Sequence, residues 1–281
     1  MNTRALRIVI GFELRRMLLG PRGILTLLAV LLGMMTIVPT RRLLEEINTL
    51  KGDSVGVDPL SPAYGVIADW TELSRAEIAQ LFSDYPPHLI AFFAVLLAAV
   101  PALAYITGFD QTANDIRARH LRFLLLRVDR ATLLVGRALG VVLMLGIIYA
   151  LVIVALMAVL SGLENGVGGA TGLLYCVRIW FCALLFSLPM VALLSCTNVL
   201  TGSPRMALAS AVGLQMTLAF VGWMWSDVAV IQHAELLFPT AFKYNLLSDD
   251  PEYLQVVIGH QLGLTILFAA LAWAAFRRRD V

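Results

Sequence analysis

The sequence predicts an all-α integral membrane protein with six transmembrane helices, an N-terminal interfacial amphipathic helix, and both termini on the cytoplasmic side. Of the 281 residues, 59% are hydrophobic and only 14% are charged, and the mean hydropathy is +0.83. These values lie outside the range of a soluble domain. Because lipid cannot satisfy backbone amides, each span is expected to be helical, and the apolar stretches lack the alternation of a membrane β-barrel.

Most of the apolar stretches approach the ~20 residues that cross a hydrocarbon core. They are Gly23 to Val38, Leu89 to Phe109, Ala138 to Ser161, Leu173 to Thr197, Ala207 to Trp225 and Leu254 to Phe276. With no internal repeat and no low-complexity segment, residues 1–281 are predicted to form a single transmembrane domain.

The arginines predict the orientation of these spans. The N-terminus, the second and fourth connections and the C-terminus hold 15 basic and 5 acidic residues, whereas the other three connections hold 5 basic and 14 acidic residues. Basic residues are retained on the cytoplasmic side, so both termini are predicted to be cytoplasmic.

Residues 2–19 precede the first span and have the pattern of an amphipathic helix. Apolar side chains such as Val9 and Leu14 recur at helical spacing, and Arg4, Arg7 and Arg15 occupy another side. This pattern favours a helix in the cytoplasmic interface, with its arginines near anionic headgroups of membrane lipids. The alternative is a simple extension of the first span. No small-residue cleavage pattern follows that span, which predicts that it is not removed as a secretory signal.

Two longer connections are expected outside the membrane, at residues 39–88 and 226–253. Within the first, Ser74 and Glu77 form a capping box, and Leu73 with Ile78 can form a hydrophobic staple. A short helix is therefore predicted there, and the partly folded loop leaves room for an extracytoplasmic protein partner.

Residues 110–130 form the most informative inner segment. Ile116, Phe123 and Leu124 can share one face of a helix whose other faces carry arginines, and Asp129 can cap the third span, which begins near Arg130. An arginine-rich loop can serve only to set the orientation of the neighbouring spans in the membrane. An amphipathic helix additionally favours a docking surface for a cytoplasmic partner.

The run from Leu121 to Gly140 resembles the stretch after the second span in membrane subunits of type-two ATP-binding-cassette (ABC) exporters. Arg130, Gly136 and Arg137 stand at the positions of that motif. The interfacial helix, the six-span layout and the basic C-terminus from Phe276 to Asp280 are also similar to that family. The chain departs from the pattern at Arg127, where relatives usually have proline.

The resemblance implies a permease subunit in a bacterial cytoplasmic membrane that is powered by a separate protein. Two ABC ATPase subunits, which bind ATP and Mg, would dock beneath a dimer of this chain with a second permease subunit, either identical or different. The sequence itself has no G-x-x-x-x-G-K-[ST] loop, so no catalytic or cofactor-binding residue is predicted in this chain, nor a nucleic acid partner. The residues assigned to ATPase coupling are Asp115, Ile116, Arg117, Arg119, Arg122, Phe123, Leu124, Arg127 and Arg130.

Four polar residues within the predicted spans are candidates for a transport pathway: Arg178, Gln215, His260 and Gln261. Charged and polar groups at this depth are costly and need partners. Arg178 can instead reach the outer headgroups, and Gln215 can instead bond to another helix.

Two pairs of glycines at four-residue spacing are predicted to allow close helix packing: Gly136 with Gly140, and Gly259 with Gly263. Packing within the chain and packing between subunits are both compatible with this spacing.

Other membrane functions are less well supported by the residues. An intramembrane enzyme needs paired ionisable groups at one depth, and a proton- or sodium-coupled carrier usually needs buried carboxylates. The predicted spans contain no Asp or Glu, and the four histidines lack metal-ligand spacing. A secondary carrier, a channel or a membrane anchor not driven by ATP is the alternative.

Overall fold

The structure is a computed structural model that describes residues 3–20, 81, 85, 87–160, 169–224, 238–241, 246–247 and 251–279. Eight helices are described: α1 Thr3–Leu19, α2 Pro87–Gly108, α3 Ala113–Arg117, α4 Leu121–Leu125, α5 Arg130–Leu160, α6 Gly169–Thr201, α7 Pro204–Met224 and α8 Pro251–Arg278. The described residues contain no strand, so the all-α prediction is confirmed for them.

Within the described residues, four helical segments are long and apolar enough to cross a membrane: Phe92–Arg117, Arg130–Ala158, Gly172–Thr201 and Glu252–Arg278. The first of them continues from α2 through a short turn into α3. The predicted span at Ala207 to Trp225 coincides with α7, which is not among these four. The predicted span from Gly23 to Val38, the loop helix near Ser74 and the rest of the outer connections lie outside the described residues, apart from a few positions near their ends.

Helix α6 is the centre of the bundle. It packs against α2, α5, α7 and α8, and 78% of its apolar window is buried, compared with 28% for α8. Aromatic side chains fill the interior between these helices, and Phe93, Tyr149, Tyr175 and Phe186 are fully buried. Since lipid tails are as apolar as these side chains, the helices are held by close packing more than by exclusion from water.

The outward faces of the long helices are apolar. Val154, Leu174, Met216 and Ile266 are each exposed by about two thirds of their surface. Apolar surface of this extent is typical of a protein that contacts lipid or another membrane helix. The structure therefore supports a membrane protein.

The third predicted span begins where the sequence indicated. The backbone N–H and the hydroxyl of Thr132 donate to the Asp129 carboxylate at 3.0 and 2.6 Å, which caps α5. These bonds, the hydroxyl bond first, hold the pKa of Asp129 below its usual value.

Residues 113–125 do not form the single amphipathic helix that the sequence suggested. Arg119 has a positive φ of 58°, and this left-handed residue separates α3 from α4. Ile116, Phe123 and Leu124 therefore do not share one helix face, and that prediction is wrong. Ile116 and Leu124 pack against an internal cluster that includes Leu121 and Phe276, whereas Phe123 is 71% exposed.

Candidate functional site

The structure gathers ionic and amide side chains from five parts of the chain at the arginine-rich end of the bundle. We call this cluster the polar junction, and it consists of Glu13, Arg16, Asp110, Gln111, Asp115, Arg137, Ser195 and Asn198. Its members come from α1, the turn after α2, α3, α5 and α6. The polar junction thus connects the N-terminal helix and the segment between α2 and α5 directly to α5 and α6.

Arg137 lies at the centre of the polar junction, two turns into α5. Its side chain is 3% exposed; it pairs with the Asp115 carboxylate and donates a hydrogen bond to the Gln111 carbonyl. A planar guanidinium can satisfy both partners at once. Arg137 therefore ties α3 and the turn before it to α5.

Arg16 makes the corresponding connection from α1. Its Nη2 lies 2.8 Å from the Asp110 Oδ2 and 3.4 Å from the Asp110 carbonyl oxygen. The Asp110 side chain is only 7% exposed, so this is a largely desolvated charge-assisted bond. It joins α1 to the turn that follows the C-terminal end of α2.

Helix α6 contributes neutral groups to the junction. The Ser195 hydroxyl donates to Gln111 Oε1 at 2.5 Å, and Asn198 Nδ2 donates to the carbonyls of Leu194 and Gly108 at 2.8 and 3.3 Å. A Cβ placed at Gly108 would lie 2.9 Å from the Leu194 Cδ1, so a larger residue there would require the Leu194 side chain to move.

Glu13 is the most buried acid of the junction, with a side chain 2% exposed. Burial raises the pKa of this carboxyl, Arg137 and Arg16 oppose the rise, and Asp115 adds to it. The only ion pair described for Glu13 is with the Arg16 Nη1 at 3.6 Å.

The first glycine pair forms the surface on which α1 packs. A Cβ at Gly136 would lie 2.8 Å from the Val9 Cγ1, and a Cβ at Gly140 would lie 2.8 Å from the Glu13 Cβ. Both contacts are closer than real Cβ atoms show, so α1 can reach α5 only over glycines. For Gly259 and Gly263, no described atom lies within 4 Å of an added Cβ.

A second set of contacts, which we call the C-terminal clamp, joins Arg130, Val199, Phe276 and Arg279. The Arg130 Nη1 donates to the carbonyls of Phe276, Arg277 and Arg279 at 3.0, 3.0 and 3.2 Å, and its guanidinium lies 6.0 Å from the Phe276 ring centroid. A cation at this position satisfies the last carbonyls of α8. Arg279 donates in turn to the Val199 carbonyl.

The residues assigned to ATPase coupling therefore divide into two groups. Asp115, Ile116, Leu124 and Arg130 point into the molecule, where they bind other helices. The others form an exposed basic and apolar surface, together with Leu126, which is 83% exposed and was not assigned from the sequence. We call this the loop surface; its members are Arg117, Arg119, Arg122, Phe123, Leu126 and Arg127.

The four candidate pathway residues have partners in the protein. The Arg178 Nη2 donates to the carbonyls of Leu246 and Leu247 at 3.3 and 3.4 Å, and the fully buried Gln261 donates to the Pro239 carbonyl at 3.0 Å. Both side chains therefore bond to described backbone positions in the connection that precedes α8. His260 is adjacent to Gln261 and partly buried.

Gln215 finds a partner on a neighbouring helix. Its Nε2 lies 3.1 Å from the Met190 sulfur of α6, which also accepts from the Tyr105 hydroxyl at 3.7 Å. A thioether sulfur is a weak acceptor, so this contact is a modest link between α7 and α6.

The polar junction was not predicted as a site. Its acids flank the predicted spans, so the lack of Asp and Glu within those spans gave no indication of the cluster. The available signal was an acid at Glu13 on the apolar side of an arginine-rich helix, and an arginine at Arg137 beside two glycines. Within the described residues no three His, Cys, Asp or Glu side chains are placed to hold a metal ion.

Comparison with known proteins adds no family assignment: the chain matches no protein-family model and no curated protein.

Proposed function

We propose that this chain is the membrane-spanning permease subunit of an ABC exporter, driven by ATP hydrolysis in a separate nucleotide-binding subunit. The proposal rests on the similarity of the Leu121 to Gly140 run to such subunits, and one structural observation supports it. An exposed basic and apolar surface is anchored to the membrane helices through buried ionic bonds.

The loop surface has the composition of a protein-docking site. Phe123 and Leu126 are 71% and 83% exposed, and the arginines at 117, 119, 122 and 127 of the same segment are also exposed. Aromatic and arginine side chains are enriched in interfaces, and a positive rim favours an acidic partner. An ATPase with an acidic groove would fit this surface.

Force applied to the loop surface can reach the spans by two routes. Asp115 transmits it from α3 to Arg137 on α5, and the fully buried Leu121 transmits it from α4 to the cluster that contains Phe276 of α8. Buried pairs and packed side chains deform little, so the short helices and the long ones would move together.

In the proposed assembly, the chain pairs with a second permease subunit, identical or related, and two ATPase subunits bind on the cytoplasmic side of a bacterial inner membrane. Both termini of each permease would then be cytoplasmic. ATP and Mg are bound by the ATPase subunits.

Charge reversal of the loop surface tests the proposal. In R117E/R119E/R122E the rim becomes acidic, so we expect loss of ATPase co-purification and of ATP-dependent transport in proteoliposomes. The matched control R205E/R277E/R278E makes the same change in net charge at other exposed arginines and should retain both. Retention of ATPase binding by the first variant would refute the docking role.

A second pair of variants separates docking from folding. Phe123→Ala removes an exposed ring, so it should weaken ATPase binding without changing the free energy of unfolding. Leu124→Ala removes a partly buried side chain and should lower that free energy. If Phe123→Ala left ATPase binding unchanged, the ring would have no role at an interface.

A further inference from the structure

The apolar side of α1 that the sequence indicates is covered by protein. Val9 packs against α5, where its Cγ1 lies 2.8 Å from the position of a Cβ at Gly136. Leu14 packs against the core of the bundle. These side chains therefore hold α1 on the protein, and a different side of the helix faces outward.

The outward side of α1 carries a second apolar row. Ile8, Phe12 and Leu19 are spaced i, i+4 and i+11, so they follow one side of the helix. Their exposed fractions are 64%, 63% and 70%. Because a contiguous row of exposed apolar side chains marks a contact surface, this side of α1 is expected to have a binding partner.

The charged residues next to this row are basic. Arg7 and Arg15 are exposed, and no described atom lies within 4 Å of a Cβ added at Gly11 between them. The one acid of α1, Glu13, is 1% exposed and packs against α5. The outward side of α1 is therefore both apolar and positively charged, which is the composition of a helix that lies on an anionic membrane surface.

The contact between α1 and α5 lies where the exposed apolar row of α5 begins. Val135 and Leu139 are each 38% exposed, and they directly precede Gly136 and Gly140, over which α1 packs. The row continues along α5 through Leu143, which is 47% exposed. The two exposed apolar rows thus meet at one level of the bundle, so a bilayer that surrounds α5 reaches α1 at this level.

We propose that the outward side of α1 is a binding site for anionic phospholipids. Its apolar row enters the acyl-chain region, and its arginines bind headgroup phosphates. Arginine suits this role because its stem can lie on apolar surface while its guanidinium donates two hydrogen bonds to one phosphate. We call this site the lipid face; its members are Arg7, Ile8, Phe12, Arg15 and Leu19.

The lipid face is a property of α1 and does not depend on the proposed ATPase partner. It differs from the loop surface, which lies between α2 and α5 and is assigned to a protein. Both tests below use the whole chain without an ATPase.

A spin label measures whether the apolar row meets lipid or water. The three native cysteines are replaced by alanine, and F12C is labelled with a nitroxide in nanodiscs of phosphatidylcholine and phosphatidylglycerol. Oxygen concentrates in hydrocarbon, whereas nickel ethylenediaminediacetate stays in water. The ratio of the two collision rates therefore reports the depth of the label, and spin-labelled lipids of known depth calibrate it.

We expect the label at position 12 to have the collision ratio of the acyl-chain region. The ratio of a nitroxide in water would overturn the inference. A label shielded from both reagents would also overturn it, because a protein would then cover this side of α1.

Lipid affinity tests the arginines. The purified chain in detergent is titrated with phosphatidylglycerol or phosphatidylcholine, and bound lipids are counted by native mass spectrometry. Each arginine near an anionic lipid surface strengthens binding about fivefold, so R7Q/R15Q should bind phosphatidylglycerol about 25-fold more weakly at its tightest site. Binding of phosphatidylcholine, which has no net charge, should not change.

The matched control is R117Q/R122Q, which removes the same charge from two exposed arginines outside α1. It should leave the tightest affinity for phosphatidylglycerol unchanged. Both double variants alter exposed side chains, so neither should change the free energy of unfolding. Equal losses of affinity in the two variants would show an effect of net charge alone and overturn the inference, as would an unchanged affinity in R7Q/R15Q.

Discussion

Removing the charge of Arg137 is the most informative perturbation of the polar junction. Arg137→Met keeps most of the aliphatic stem but removes the cation that pairs with Asp115 and the donor that satisfies the Gln111 carbonyl. Asp115 is 14% exposed and would be left as a largely buried anion. The change therefore breaks the ion pair between Arg137 and Asp115 and leaves the Asp115 carboxylate without its cation.

The expected magnitude follows from the burial of both partners. Loss of one member of a buried ion pair typically costs about 3 to 5 kcal/mol, because the remaining charge is uncompensated. Replacing Asp115 by Asn in the same protein removes that remaining charge. The double variant R137M/D115N should therefore be more stable than the sum of the single effects predicts, by about 2 kcal/mol.

The assay is reversible unfolding in mixed detergent micelles, in which the denaturing detergent fraction is raised and helix content is followed by circular dichroism. Arg122→Met is the matched control, since Arg122 is exposed on the loop surface, and it should change the free energy of unfolding by less than about 0.5 kcal/mol. The reasoning would be refuted if R137M cost less than about 1 kcal/mol. Additive single effects in the double variant would refute it equally.

Three further variants test other contacts. Gly140→Leu places a side chain where Glu13 packs, so it should lower the free energy of unfolding by about 1 to 3 kcal/mol and raise hydrogen exchange across residues 3–19. Gly213→Leu is the control, because no described atom lies within 4 Å of an added Cβ there, and it should do neither. Equal effects of the two variants would contradict the packing of α1 on α5. Phe276→Ala empties a fully buried site and should cost about 3 to 5 kcal/mol in the same unfolding assay; a cost below 1 kcal/mol would show that the ring is dispensable. Asp129→Ala should increase hydrogen exchange of the backbone amides at the start of α5, whereas Asp129→Asn retains a capping side chain. Because the pKa of Asp129 is lowered in the folded protein, the ionised cap stabilises the fold above the solution pKa of 3.8, and this stabilisation is lost as the pH falls through the lower pKa of the folded state. Asp129→Asn should not show that loss.

Local signals in the chain predicted most of the helices. The apolar runs around α2, α5, α6 and α8 are long and nearly free of charge, and Asp129 was predicted to cap the helix that begins near Arg130, as it does. Such signals depend on neighbours within one or two turns, so the sequence displays them directly.

The break at Arg119 could not be predicted in the same way. Residues 113–125 have the periodicity of one amphipathic helix, yet Arg119 adopts a left-handed conformation that divides it, and Ile116 and Leu121 pack against α6 and α8 instead. A non-glycine residue in this region is strained, and tertiary contacts outweigh that cost. The sequence of residues 113–125 contains no pattern that indicates these contacts with distant helices.

The amino-acid order was thus sufficient to establish a helical membrane protein whose basic residues are concentrated in alternate connections, because composition and periodicity are local properties. Only the folded chain showed that Glu13 meets Asp110 and Arg137, since Glu13 precedes them by 97 and 124 positions in the sequence and is brought to them by packing over Gly136 and Gly140. Desolvation depends on what surrounds a group in space. For that reason an acid that reads as part of a surface helix became, after folding, the most buried acid of the polar junction.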